Sequence, residues 1–330
     1  MRIGIVTFWQ SDDNYGQQLQ CWALQCYLKR LGHEPFLIRY LYKESVWRKW
    51  LKIMVKTAFI YPLLGWWRHR DIRRMEAVNR VKNEVRSFEE FRNKHIDQSR
   101  RIYGTLTELR QDPPAADVYR AGSDQIWNPM LLRRKDGRAF WLDFGEDRVR
   151  RVAYAASYGV DKCPPGLQKE LSRRLYRFDA LSVREESGVS ICRASGKEAT
   201  HVLDPTLLLS KDDYLSLMED IPVRPSPYIY IYSINISSKE DIRWSELRGF
   251  SKIGGLSLVV TPASGYLPGR ELFEGVEYSY AAIPEWLSLI RHAGLVVTTS
   301  FHGVVFCICF TSVLCISPCQ ARTPREIVVY

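Results

Sequence analysis

Short apolar runs of strand length alternate with helical periodicity along most of this chain. Residues 2–8 form a continuous β-type run, and residues 17–30 then place Leu19, Trp22, Ala23 and Cys26 on one helical face. Gly32 closes that helix and residues 34–40 read as a second strand, which makes a βαβ opening. Further strands are predicted at 117–121, 151–156, 180–183 and 200–203. A second alternation begins near Tyr214, with strands at 228–232, 257–260 and 295–299 and a helix over 284–293. This order predicts an α/β protein with parallel sheets. Two Rossmann-like domains facing across a cleft are the economical arrangement, residues 1–205 and 206–330, with the crossing within 204–213. No repeat of short period marks a solenoid.

Length and composition narrow the class. A chain of 330 residues exceeds what one core usually supports. With 46% hydrophobic and 12% aromatic residues, disorder is excluded. The net charge of +10 is concentrated: residues 43–110 hold 17 Lys and Arg against 8 Asp and Glu. Anionic lipid, an anionic substrate and nucleic acid all suit such a surface, but no nucleic-acid reader motif accompanies the charge, so no nucleic-acid partner is expected. Within this insertion Trp47, Trp50, Leu51, Met54 and Ala58 share one helical face, opposite Arg48, Lys52 and Lys56. The stretch is too short and charged to span a bilayer. It reads either as a helix in the interface of an anionic membrane or as an ordinary packed surface helix.

The eight cysteines form no even framework, and no signal peptide precedes the first strand. Free thiols in a reducing cytoplasm are expected, with the protein peripheral at the inner face of the plasma membrane if the basic stretch binds lipid. Cys307, Cys309, Cys315 and Cys319 fall in or beside an apolar run from 306 to 316 that lacks turn residues to gather ligands, so no metal is expected.

Four polar islands stand at the ends of β-type runs. They are Asn14-Tyr15-Gly16, the stretch Gly122-Ser123-Asp124-Gln125-Ile126-Trp127-Asn128-Pro129, Ser182-Val183-Arg184-Glu185-Glu186-Ser187, and Thr299-Ser300-Phe301-His302-Gly303. Ligands of open α/β sheets sit outside the carboxyl ends of the strands, so islands far apart in sequence converge. One Arg, one Asp and one His among hydroxyls and glycines suit an anionic substrate and proton transfer.

Together with Tyr154-Ala155-Ala156-Ser157-Tyr158-Gly159 and Val202-Leu203-Asp204-Pro205-Thr206, these islands resemble, in order and spacing over about residues 1–310, the polysaccharide pyruvyl transferase family. The resemblance implies a glycosyltransferase-B-like fold. It also implies transfer of a pyruvyl group from phosphoenolpyruvate to two sugar hydroxyls, forming a ketal during bacterial capsular or exopolysaccharide synthesis. Phosphoenolpyruvate enters as donor substrate, no cofactor is implied, and the acceptor is a glycan, lipid-linked if the amphipathic region meets a membrane. Family members continue well past the Ser-Phe-His-Gly turn, so the C-terminal domain is expected to be shortened, with consequences for activity.

The residues carry a matching chemistry. Arg184, at a strand end, presents a planar fork for an oxyanion, or else pairs with neighbouring acids. His302 is the candidate for proton transfer, against the alternative of a core histidine. Asp124 is read as a catalytic carboxylate or sugar contact, against an Asx-turn, and Trp127 as a stacking surface for a pyranose. The amides of Asn14, Tyr15 and Gly16 offer an anion seat at a helix N-terminus, although no dinucleotide fingerprint is present. Gly122, Ser123, Ser157, Ser300 and Gly303 complete the substrate-binding set. Two other classes compete: a nucleotide-sugar glycosyltransferase, needing a ribose-binding carboxylate near Glu271, Glu274 or Glu277, and a non-enzymatic scaffold of polysaccharide assembly.

Overall fold

A computed structural model describes residues 1–41, 83–132, 134, 136–234, 236, 238–263 and 273–316. The amphipathic helix expected at 47–58 and the basic run after it lie outside the described residues.

Two parallel sheets organise the chain. The first has the order β3-β2-β1-β4-β5-β6-β7, formed by Arg2–Val6 (β1), Glu34–Tyr40 (β2), Gln98–Tyr103 (β3), Val118–Asp124 (β4), Arg150–Ala156 (β5), Ala180–Val183 (β6) and Thr200–His201 (β7). The second has the order β10-β9-β8-β11-β12, formed by Tyr228–Ser233 (β8), Ser257–Pro262 (β9), Glu277–Tyr278 (β10), Leu295–Thr298 (β11) and Leu314–Ile316 (β12). Each sheet doubles back at one seam, where β1 lies beside β4 and β8 beside β11. At such a seam the connections leave toward opposite faces and open a crevice at the strand ends.

Sequence explains the elements. All six residues of β8 are buried, as a strand covered on both faces requires. Helix Tyr15–Arg30 starts at Asn14, whose side chain accepts from the Gln17 amide, and ends in Lys29 and Arg30. Gly32 follows at φ +77°, a left-handed turn that suits glycine. Threonines lace both seams. Thr7 Oγ1 donates to the Ser123 carbonyl (3.0 Å) across the first, while Thr298 Oγ1 donates to Tyr232 O (2.6 Å) and Thr299 Oγ1 to Ile234 O (2.9 Å) across the second.

One aromatic core joins the two sheets' layers. Tyr15, the first residue of its helix, stacks on Trp286 of helix Ile283–His292 at 4.9 Å and 11°, and meets Tyr232 of β8 edge-on. Trp22 of the same first helix packs on Tyr214, which meets Phe306 of helix Phe301–Phe310. Residues from both sheets thus belong to a single buried cluster. The Tyr15 hydroxyl donates to Ala281 O at 2.7 Å, so the stack is also registered by a hydrogen bond.

Several boundaries differ from the pattern-based expectation. β4 runs through Asp124, so Gly122 and Ser123 are strand residues rather than loop residues. β7 stops at His201. Gln98–Tyr103, hidden in the basic stretch, is an edge strand whose arginines Arg100 and Arg101 face solvent, a common protection of sheet edges. The apolar run 306–316 does contain a turn: the helix ends at Phe310, Thr311 adopts φ +59°, and β12 follows.

Because Trp286 is fully buried in the shared core, Trp286→Ala should cost about 3–5 kcal/mol. Denaturant unfolding followed by fluorescence and far-UV dichroism should give coincident transitions for both sheets. Two separated transitions in the parent protein would show that the aromatic stack does not couple them.

Candidate functional site

The two seams meet at a contact between Gly16 and His302. A β-carbon placed on Gly16 would lie 2.1 Å from His302 Nδ1, so the imidazole rests directly on the backbone of the first helix's N-terminal turn. Only glycine permits this approach. His302 itself is the second residue of helix Phe301–Phe310, capped by Ser300, whose hydroxyl accepts from the Gly303 amide. Gly303 is required for a parallel reason, since its β-carbon would fall 2.3 Å from Thr298 Oγ1.

The other ring nitrogen, Nε2, faces Asp204 Oδ1 at 3.7 Å and is buried without a hydrogen-bond partner. Asp204 is the hub of the site. Its Oδ2 accepts from Ser123 Oγ (2.6 Å) and Arg184 Nη1 (3.2 Å), and its Oδ1 accepts from Thr206 N (3.0 Å) and Thr206 Oγ1 (2.7 Å). Burial alone would favour the neutral acid, but His302, Arg184 and Ser123 outweigh it and hold Asp204 well below the usual carboxylate range. A permanent anion therefore sits between the arginine and the histidine.

Arg184 is nearly buried. Its Nε donates to Glu185 Oε1 (2.9 Å), and its guanidinium carbon lies 4.3 Å from the centroid of Phe301. Burial opposes its charge, while Asp204, Glu185 and Asp124 more than compensate and raise its pKa. The arginine is thus paired with neighbouring acids and also carried to the residue beside His302. Asp124 ends β4 at φ +73°, half-buried, with Oδ1 accepting from the Gln125 amide (2.8 Å). It turns the chain there and lies within electrostatic reach of Arg184.

The remaining expected residues divide by burial. Trp127 does not present a face to a sugar: it is 0% exposed, stacked on Trp141 at 4.7 Å and 5°, with Nε1 donating to Phe140 O. A large aromatic side chain beside a strand end found a core partner that the local sequence did not announce. Ser123 is likewise buried and committed to Asp204, so it supports the site rather than lining it. Ser157 is buried too: its Oγ accepts from Gly159 N (3.1 Å) and its amide donates to Asp124 O (3.0 Å), shaping the turn. Gly122 is a packing glycine against Ile5 and Leu24. The Tyr15 ring belongs to the aromatic core, and Asn14, half-buried, spends its side chain on capping. Ser300, 4% exposed, caps the histidine's helix.

A family model for polysaccharide pyruvyl transferase matches residues 14–311, from the capping asparagine through the whole Ser300-Phe301-His302 helix. The chain belongs to the polysaccharide pyruvyl transferase family. It is therefore a member of a transferase enzyme family. No curated protein matches the chain. Among solved structures, it is similar to the UDP-GlcNAc 2-epimerase of Methanocaldococcus jannaschii, with a TM-score of 0.51 and 12% identity over 96% of this chain and 83% of that one. The UDP-GlcNAc 2-epimerase of Neisseria meningitidis gives 0.45 at 10% identity, covering 92% and 78%. An Escherichia coli heptosyltransferase gives 0.40 at 12%, covering 99% and 95%. The first of these likenesses concerns the fold, a glycosyltransferase-B-like pair of parallel sheets.

Asp204, which no single local signal in the sequence sets apart as a site residue, also caps the turn Pro205–Leu207, its side chain accepting from the Thr206 amide. Among the described residues no group of three or more His, Cys, Asp or Glu could hold a metal ion, and no helix is long and apolar enough to cross a membrane.

Removing Asp204 leaves the Arg184 charge buried without its main partner, so Asp204→Asn should destabilise by about 3–5 kcal/mol at neutral pH. Its folded pKa lies below the unfolded value of about 3.9. The contribution is therefore complete above that value and is lost as pH falls through the folded one. Stability measured from pH 7 downward should show the gap between parent and variant narrowing below about pH 4. A gap independent of pH would mean that Asp204 is not the ionised hub.

Proposed function

We propose that this protein transfers the pyruvyl group of phosphoenolpyruvate onto two hydroxyls of a sugar in a bacterial surface polysaccharide, releasing phosphate. The observation that carries this reading is the Arg184–Asp204–His302 arrangement at the junction of the two sheet seams. It places a guanidinium and an imidazole on opposite sides of one buried anion. Family membership supports the same class of transfer.

The chemistry requires two proton movements. The methylene carbon of the donor gains a proton and becomes the methyl group, while a sugar hydroxyl adds to the adjacent carbon. A second hydroxyl then displaces phosphate, closing the ketal, and the two hydroxyl protons are accounted for by the new methyl group and the departing phosphate. His302 is assigned the proton transfer, with Asp204 as the counter-charge to an imidazolium formed during the step. Arg184, fixed at Nε and Nη1 by Glu185 and Asp204, offers the rest of its fork to the donor's anionic groups. Rigid placement of this kind lets the site act on developing charge without reorganising. Asp124 is assigned to the acceptor hydroxyls.

The acceptor is a glycan, and a lipid-linked one fits the basic surplus of residues 43–110, which suits an anionic membrane surface at the cytoplasmic side. The nucleotide-sugar alternative gains nothing from Glu277, which is bound by Arg224 through both oxygens, at 2.7 and 2.5 Å.

Incubation with phosphoenolpyruvate and a lipid-linked glycan should release phosphate and add a pyruvate ketal to the sugar, read by mass spectrometry. His302→Ala should lower turnover by roughly 10²–10⁴ with donor affinity little changed. Arg184→Ala should instead weaken donor binding. Tight binding of a nucleotide sugar, with phosphoenolpyruvate bound no better than inorganic phosphate, would replace this reading with glycosyl transfer.

A further inference from the structure

Three groups hold the Arg184 guanidinium, and one of its nitrogens is left over. Nε donates to Glu185 Oε1 at 2.9 Å and Nη1 to Asp204 Oδ2 at 3.2 Å. The third holder is the Phe301 ring, over which the guanidinium carbon lies 4.3 Å from the centroid. That is well inside the roughly 6 Å within which a cation and a ring face attract. Nη2 makes no hydrogen bond among the described residues and, unlike Glu185 Oε2, is not buried. It is therefore the atom through which the fork reaches solvent.

The ring and the arginine come from different sheets. Arg184 follows β6, with its amide donating to Ala156 O (3.3 Å) at the end of β5, whereas Phe301 opens the helix that follows β11. Phe301 is half-buried, and its ring stands edge-on to that of His302 at 5.1 Å and 85°. One side chain thus borders both the arginine assigned to the donor's charge and the histidine assigned to proton transfer. The start of a helix carries partial positive charge, which disfavours a guanidinium beside it. The negative face of an aromatic ring offsets that repulsion, where an aliphatic side chain of similar bulk would only fill the space.

We infer that Phe301 is a positioning residue for Arg184: its ring holds the guanidinium by a cation–π contact across the two sheets, so that the open Nη2 meets the donor's anionic group in one fixed direction. The inference rests on the phosphoenolpyruvate reading for the identity of the anion, but the coupling of arginine and ring does not depend on it. An aromatic side chain does serve the site, as Trp127 was expected to do. It is Phe301, and it supports the arginine instead of stacking on a sugar.

Fluorinating the ring separates this role from packing, because each fluorine drains charge from the ring face and changes its size little. With Phe301 replaced by mono-, di- and trifluorinated phenylalanine, calorimetric titration should show phosphoenolpyruvate binding weaken stepwise, by roughly threefold or more at three fluorines. The melting temperature should stay within a few degrees of the parent. Phe301→Leu should weaken binding at least as much as the trifluorinated ring. The same titrations with inorganic phosphate identify the anion. Phosphoenolpyruvate affinity that does not change with the number of fluorines, even if Phe301→Leu lowers it, would make the ring a packing element and overturn the inference while leaving the donor assignment intact. If the parent binds inorganic phosphate with no preference for phosphoenolpyruvate, and phosphate weakens along the fluorine series, the positioning role stands and the donor assignment fails. Binding of neither anion by the parent would overturn both.

Discussion

One buried carboxylate sets the terms for this site. Asp204 has no solvent to stabilise its charge, so it stays ionised only because Arg184, Ser123, Thr206 and His302 surround it. The dependence is mutual. Arg184, nearly buried itself, keeps its charge through Asp204 and Glu185, and its fork is thereby fixed in direction. Losing any one member leaves the others desolvated without compensation, which is the most expensive kind of loss inside a protein. The arrangement is therefore rigid before a ligand arrives.

Topology explains why these residues meet. Each sheet has one seam where the order of strands reverses, β1/β4 in the first and β8/β11 in the second. Gly16 and Ser123 come from the first seam, His302 from the second, and Arg184 from the end of β6. The aromatic stack of Tyr15 on Trp286 presses the seams together and sets the distance at which His302 can lie on Gly16. Core packing and site geometry are thus one structure: the residue that begins the first helix in the core is adjacent to the glycine beneath the histidine.

Much of this was legible in the sequence. The alternation of strand and helix gave the two parallel sheets, and the polar islands at strand ends named Arg184, His302, Asp124 and Gly16. Three things were hidden, each for a physical reason. Asp204 carried no role of its own in its Val-Leu-Asp-Pro-Thr stretch, because its charge matters only when residues distant in sequence close around it. Trp127 looked exposed because it sits in a polar island, but its stacking partner Trp141 lies 14 positions on. The edge strand Gln98–Tyr103 was masked by its own arginines, since an edge need bury only one face.

The central claim is that Asp204 and His302 act as one unit in the transfer. A double-mutant cycle on kcat/KM for phosphoenolpyruvate, the donor we propose, using Asp204→Asn, His302→Gln and the pair together, tests it most directly. The account predicts strong non-additivity, with the double variant losing little more than His302→Gln alone. Losses that multiply, as for two residues acting independently, would contradict it.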